Sequence, residues 1–151
     1  AFLDLYHSLF PEIREWHEEI KYKLDQHAEL RNLFGFPRLF TSYRGTKEDL
    51  KEALAYIPQS TVGTITNQAI VSLQRTIEMD GCDWDILNNK HDSFLIQVPD
   101  GEVDEAVRVG NLAMNQEMTT PRGEVFRMKS GCEIGKNWGH YDKETNPEGL
   151  K

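Results

Sequence analysis

Residues Asn88-Asn89-Lys90-His91-Asp92-Ser93-Phe94-Leu95-Ile96-Gln97-Val98-Pro99 restrict this chain more than any other stretch. Trp84, Ile86 and Leu87 precede a His-Asp-Ser turn, and Phe94, Ile96 and Val98 then alternate with Ser93, Leu95 and Gln97 at the two-residue period of a strand. The pattern predicts a β-hairpin with a carboxylate at its tip. An acid on a rigid hairpin is placed more accurately than one on a mobile loop, which suits metal-assisted chemistry. An ordinary polar turn accounts for the same residues, because Asp is a favoured turn former.

Helical patterns flank the hairpin. Residues 2–9 read as the end of a helix. Pro11 suits the first turn of the next, whose buried stripe is Ile13, Trp16, Ile20 and Leu24, and Gly35 and Pro37 stop it. Thr46-Lys47-Glu48-Asp49 has the form of a capping box, with Asp for the usual Glu, ahead of a short helix ending near Tyr56. Pro58 is expected to break the chain. Ser60 or Thr61 then caps a long helix with Val62, Ile65, Ala69, Leu73 and Ile77 on its apolar face, ended by Asp80-Gly81.

Beyond the hairpin, Asp100-Gly101 turns into a helix carrying Val103, Ala106, Val107 and Leu112. A closing strand follows, in which Phe126, Met128, Cys132 and Ile134 alternate with Arg127, Lys129 and Glu133. The order helix, hairpin, helix, strand predicts an α+β fold: an antiparallel sheet of hairpin plus closing strand, backed by helices on one face. Residues 140–151 are polar, with Pro147 and Gly149, and are expected to form a loose tail.

A chain of 151 residues can bury a sizeable core and should form one domain or a lobe of one. With no apolar run long enough to span a membrane and no signal peptide, it reads as a soluble intracellular protein. It begins Ala1-Phe2-Leu3-Asp4, without Met and already in a helical pattern, as a piece of something longer would. Cys82 and Cys132 lie fifty positions apart, form neither a zinc knuckle nor a disulfide framework, and read as buried free thiols. A net charge of −8 argues against a protein that simply coats nucleic acid. Basic residues do cluster in Arg31, Arg38, Arg44, Lys47 and Lys51, interrupted by Glu48 and Asp49; a nucleic-acid contact and a solvated surface both account for them.

Familiar catalytic motifs are excluded. His17-Glu18-Glu19-Ile20-Lys21 starts like a zinc-protease helix but has Lys where the second His belongs. Gly131-Cys132-Glu133-Ile134-Gly135-Lys136-Asn137 is one residue short of a phosphate-binding loop and precedes no helix. His7, His17 and His27 recur at intervals of ten, not at the i,i+4 spacing of helical ligands, and read as surface or boundary residues.

Three segments in order, Ala55-Tyr56-Ile57-Pro58-Gln59-Ser60-Thr61-Val62-Gly63-Thr64, the His91-Asp92-Ser93 hairpin and Cys132-Glu133-Ile134-Gly135-Lys136-Asn137-Trp138, together resemble the C-terminal part of a family A (Pol I-like) DNA polymerase. In that family the third catalytic motif is a hairpin reading His-Asp-Glu. The palm helix opens with Gln, a small residue and Thr, and a closing strand ends in Ile-Gly, two residues and Trp. Phe10-Pro11-Glu12-Ile13-Arg14-Glu15-Trp16 and Leu33-Phe34-Gly35-Phe36-Pro37-Arg38 look like the last fingers helix and the turn after it. The resemblance covers residues 1–139. It implies an end of the fingers in 1–40, the C-terminal part of a palm in 41–139, and a polar tail in 140–151.

The implied activity is DNA-directed DNA synthesis on primer-template DNA with dNTPs, in the cytoplasm of a bacterial or phage-infected cell. Asp92 would be a ligand of a pair of Mg2+ ions, roughly 3.5–4 Å apart. The second acid and the Lys and Tyr that grip the nucleotide belong to motifs this chain lacks, so an N-terminal portion, in cis or as a separate subunit, would supply them. Gln59 would reach the minor groove near the primer terminus, where an amide can meet the purine N3 or pyrimidine O2 of any pair. His91 would lie against the primer end, and Lys51 and Arg38 would contact DNA. The local alternatives are a helix-start polar residue for Gln59 and a turn residue for His91. Three departures bear on the set: Ser93 stands for the family's Glu, Ala55 for its usual Asn, and Lys51 near its Arg. A non-catalytic DNA-binding or assembly module with a degenerate palm is the other class of reading. The divergent Pro-Gln-Ser-Thr and His-Asp-Ser motifs suggest a viral or phage lineage.

Overall fold

A computed structural model describes residues 2–120 and 123–151; Ala1, expected to lie already inside a helical pattern, is outside them. Two compact units make up the chain, Ala1–Ile65 with Thr119–Glu124 and Thr66–Met118 with Val125–Lys151. The class is the expected α+β, the described residues forming helices and three two-stranded sheets.

In the first unit, α1 (Phe2–Leu9) is followed by α2 (Pro11–His27), which opens on Pro11 and buries Ile20 and Leu24 while Ile13 and Trp16 are half-buried. α2 stops well before Gly35, because Ala28 takes a left-handed conformation (φ 49°) and closes the helix through its N–H to Leu24 O. The chain then forms a short antiparallel pair not foreseen from the sequence, β1 (Glu29–Arg31) with β2 (Pro37–Leu39), in the register Leu30 opposite Arg38. Ile20, Leu24, Leu30, Phe40 and Ala53 form the core, with Trp16, Tyr43, Leu50, Leu54, Tyr56 and Ile57 packed on it.

The expected break at Pro58 is absent: α3 runs unbroken from Lys47 to Asp80. Its start is the reciprocal cap read from the sequence. Asp49 N–H donates to Thr46 Oγ1 at 3.2 Å, and Asp49 Oδ2 accepts the N–H of Thr46 at 3.2 Å and of Arg44 at 2.9 Å. These bonds, the Arg44 amide first, hold the Asp49 carboxyl below its usual pKa range. Neither Ser60 nor Thr61 caps a helix; both lie inside one. Packing overrides the proline because Leu50, Ala53, Leu54 and Ile57 all belong to one core and anchor the helix up to the ring itself. At the other end Gly81 is left-handed (φ 65°) and Cys82 N–H donates to Ile77 O, the six-to-one closure of a Schellman motif.

The second unit is built on Leu73, Ile77, Trp84 and Ala106, against which Ile86, Phe94, Ile96, Val98 and Val109 pack. β3 (Asp85–Lys90) and β4 (Ser93–Gln97) form the predicted hairpin, with a bulge between Ile86 and Asn88 that leaves Leu87 outside the pairing. A 3-10 turn (Asp100–Glu102) leads into α4 (Val103–Met114). Ala106 and Gly110 are buried there, but Leu112, expected on the apolar face, is 70% exposed.

The closing strand departs from expectation. β6 (Val125–Arg127) is only three residues long and pairs with β5 (Glu117–Thr119), not with the hairpin. Beyond it, Ser130 is tied to α4, its N–H donating to Asn115 Oδ1 at 3.2 Å and its hydroxyl to Asn111 Oδ1 at 3.1 Å. The backbone after that pairs with the C-terminal residues. Ile134 exchanges both its hydrogen bonds with Lys151, and Lys136 N–H donates to Glu148 O at 2.7 Å. Residues 140–151 are therefore a closed return and not a loose tail, with Leu150 N–H on Gly139 O at 2.7 Å and an Asp142–Asn146 bridge. Because residues 128–134 lie outside any sheet, Cys132 is exposed, not buried as expected; Cys82 is half-buried, and both thiols are free. No described helix is long and apolar enough to cross a membrane.

Candidate functional site

Asp92 sits where the sequence placed it, exposed in the two-residue turn between Lys90 and Ser93, which face each other across the hairpin. Its neighbour His91 is exposed and left-handed (φ 49°), a conformation His tolerates better than most side chains. The turn is carried on a supported base. Asn89 Nδ2, next to the turn, donates to Asn67 Oδ1 of α3 at 2.9 Å. Lower down, Phe94 and Ile96 join the core and Trp84 Nε1 donates to Glu102 Oε2 at 2.6 Å. The result is an exposed carboxylate on a braced element, the geometry that metal-assisted chemistry requires of a ligand.

Ser93 is used differently. Its hydroxyl donates to Lys90 O at 3.1 Å, closing the turn across its base, so the oxygen is engaged in holding the hairpin. Magnesium is normally held by one or two carboxylates together with waters and substrate phosphates. Asp92 is a hard-oxygen donor of that kind. Among the described residues no group of three or more His, Cys, Asp or Glu side chains is placed to hold an ion. The donor set thus fits one ligand of such a site and not a complete one.

In the first unit the unbroken α3 has a consequence that two separate helices would not. Lys51, Ala55 and Gln59, at i, i+4 and i+8, fall on one stripe about 12 Å long. Lys51 and Gln59 are exposed and Ala55 is half-buried. Gln59 is a mid-helix side chain, so the alternative of a helix-start residue bonding local backbone does not apply.

The basic cluster is partly neutralised. Arg31 pairs with Glu29 at 2.8 Å and donates to Gly35 O at 3.0 Å. Arg38 pairs with Glu52 and lies 4.8 Å from the Phe40 ring centre and 5.6 Å from that of Tyr56. Arg38 is therefore a flat, pre-oriented guanidinium whose use by a phosphate would compete with Glu52. His7 and His17, separated in sequence, meet across α1 and α2 with ring centres 6.1 Å apart, while His27 is exposed at the end of α2.

Sequence reasoning missed Asn32. It is 5% exposed and makes four side-chain hydrogen bonds within the first unit, two of them to residues just beyond Gln59. An Asn two residues before a Phe-Gly turn signals an Asx-type turn, but nothing local announces its reach to α3.

Comparison with known proteins places these features in a family. Residues 1–140 match the model of DNA polymerase family A. The chain is 26% identical over 140 residues to the DNA polymerase I of Chloroflexus aurantiacus, covering 90% of this chain and 14% of that protein. Its fold is similar to the POL domain of Pol1 from M. smegmatis, solved in complex with DNA primer-template and dNTP. That match has a TM-score of 0.71 at 19% identity and covers 83% of this chain and 23% of the other. The chain thus spans less than a quarter of the length of either relative, and with the family model matching nearly all of it, it belongs to DNA polymerase family A.

Proposed function

We propose that this chain is the C-terminal part of a DNA-directed DNA polymerase, carrying out template-directed nucleotidyl transfer by a two-metal mechanism once joined, in cis or as a subunit, to an N-terminal portion. The observation that carries the reading is Asp92, an exposed carboxylate at the tip of a braced hairpin in a family A chain. Residues 1–40 would close the fingers, 41–139 would complete the palm, and 140–151 fold back after it. The partners are primer-template DNA and dNTP, and the setting is a bacterial or phage-infected cytoplasm.

Asp92 would hold magnesium, which when bound acidifies the primer 3′-hydroxyl and offsets charge on the triphosphate. The chain's own residues do the placing. Asn89 and the Phe94–Ile96 core contacts fix where the carboxylate stands. His91 offers an imidazole N–H to the primer end. Gln59 offers a donor and an acceptor to the minor-groove edge of the terminal pair, checking its shape without reading its sequence. Lys51, on the same stripe, and Arg38 would neutralise backbone phosphate.

A second reading, a non-catalytic DNA-binding or assembly module, is favoured by Ser93, whose hydroxyl serves the turn, and by Ala55, which offers no polar group. The two are separated by primer extension across a magnesium titration, using this chain together with its N-terminal portion. Asp92→Asn should lower extension by several orders of magnitude, in line with the several kcal/mol that a catalytic metal contributes, and leave circular dichroism unchanged because the residue is exposed. Ser93→Ala should change the rate little. Near-normal extension by Asp92→Asn would overturn the metal-ligand role, and no extension by the unaltered pair would favour the module.

A further inference from the structure

The turn between β1 and β2 is fastened to α3 on both sides of Pro58. Ahead of the proline, Arg38 pairs with Glu52 and the Tyr56 hydroxyl donates to Phe36 O at 2.8 Å. Beyond it, Leu33 N–H donates to Thr61 Oγ1 at 3.4 Å. Asn32 Nδ2 donates to Ser60 O at 3.3 Å and to Thr64 Oγ1 at 3.0 Å. The other end of the same amide is also occupied, Oδ1 accepting the N–H groups of Phe34 and Phe36 at 3.0 Å each. A buried amide with both hydrogens and both lone pairs used is held in one orientation and in turn holds what it touches.

A proline inside a helix removes the donor to the carbonyl four residues back, here Leu54 O, and its ring crowds that carbonyl. The turn carrying Gln59 is therefore the weakest turn of α3 by its own backbone, yet it stays helical and keeps Gln59 in line with Lys51. The Asn32 bonds land on the residue immediately after Gln59 and one turn further on.

We propose that Asn32 is a positioning residue: it splints α3 across Pro58 and so fixes the direction in which Gln59 is presented to the primer terminus. The inference rests on the role proposed above for Gln59, and two measurements keep the two apart. The first needs no DNA. Amide hydrogen exchange on the 151-residue chain should show the N–H groups of Gln59 to Thr64 exchanging faster in Asn32→Ala, by at least roughly tenfold for the loss of several bonds, while α2 and the β3–β4 hairpin stay unchanged. Thr64→Val removes the acceptor of one Asn32 bond, together with the hydroxyl's own bond to Ser60 O, and nearly preserves shape; it should give a smaller rise than Asn32→Ala, roughly two- to tenfold, and carries both measurements if Asn32→Ala fails to fold. Unchanged exchange at these amides overturns the splint.

The second measurement is the ratio of extension from matched and mismatched primer ends, with the N-terminal portion supplied. Asn32→Ala should shift the ratio in the same direction as Gln59→Ala, roughly two- to tenfold, and should add nothing when Gln59 is already Ala. A purely structural role would lower both rates equally, and an equal further shift in the double variant would place the action of Asn32 elsewhere; either result overturns the positioning role. If Gln59→Ala alone leaves the ratio unmoved, the minor-groove reading fails, and the exchange result still decides whether the splint exists.

Discussion

Replacing Pro58 by Ala should stabilise the first unit by about 2 kcal/mol. Inside a helix Pro is about 3 kcal/mol less favourable than Ala, because it brings no N–H and its ring presses on the carbonyl four residues back. Against this stands the greater freedom of an unfolded chain with Ala, which costs about 0.4–1 kcal/mol. No buried area is lost, since Pro58 is exposed. The new N–H would meet Leu54 O, the one carbonyl that the proline leaves without its helical donor. The difference corresponds to a rise in melting temperature of about 4–8 °C for a chain of this size. It should be followed by the fluorescence of Trp16, which packs on the first core, with Trp84 and Trp138 replaced by Phe so that the second unit is silent. The same measurement in a double-mutant cycle tests the splint independently of DNA: Asn32→Ala should cost less when position 58 is Ala, because the ladder then closes itself. A neutral or destabilising Pro58→Ala would refute the reasoning, for it would mean that α3 breaks at the proline in solution.

Two further outcomes follow from local geometry. The Asp49 carboxyl is held below its ordinary value of 3.8 by the Arg44 amide and then by Thr46, so the folded state takes up its proton less readily than the unfolded state. Its contribution is complete above about pH 4 and is lost as pH falls through the depressed folded value; Asp49→Asn should flatten that part of the stability–pH curve, measured by urea unfolding, and an unchanged slope would exclude the cap as its source. A Cβ on Gly149 would stand 2.5 Å from Gly139 O and 2.6 Å from His140 O, so Gly149→Ala must push the C-terminal return off Gly139, at about 1–3 kcal/mol, with faster amide exchange at Tyr141 and Leu150. Native exchange there would mean that residues 140–151 are the loose tail their composition suggests.

What the sequence conveyed divides by the range of the forces involved. The hairpin was legible because its code is local: alternation at Phe94, Ile96 and Val98 and a turn-forming Asp92 suffice to place its turn, though not the bulge at Leu87. The Thr46–Asp49 cap and the Gly81 stop were legible for the same reason, each lying within five residues of what it satisfies. Pro58 misled because a local rule was outvoted by contacts 20 to 32 residues away, from Phe36 and Asn32. The closing strand misled in the opposite sense. Its alternation is real, but Ser130 is drawn to Asn111 and Asn115 and Ile134 to Lys151, choices that no two-residue period encodes.

The candidate site shows the same division at the scale of single atoms. The place of Asp92 at the hairpin tip could be read because a turn-forming acid between two apolar runs is a local signal. Ser93, by contrast, read as a loss, a neutral residue where the resemblance implied Glu. The structure gives the substitution a positive content, since the hydroxyl donates to Lys90 O and closes the turn from which Asp92 projects. An ionised Glu is acceptor-only and cannot make that bond. Restoring the acid at this position would therefore add charge beside Asp92 and at the same time remove the bond that closes its turn. If Asp92 holds magnesium as proposed, a gain in metal attraction and a loss of placement would oppose each other, and Ser93→Glu should improve extension only where the turn is held well enough by Asn89 and the Phe94 packing alone.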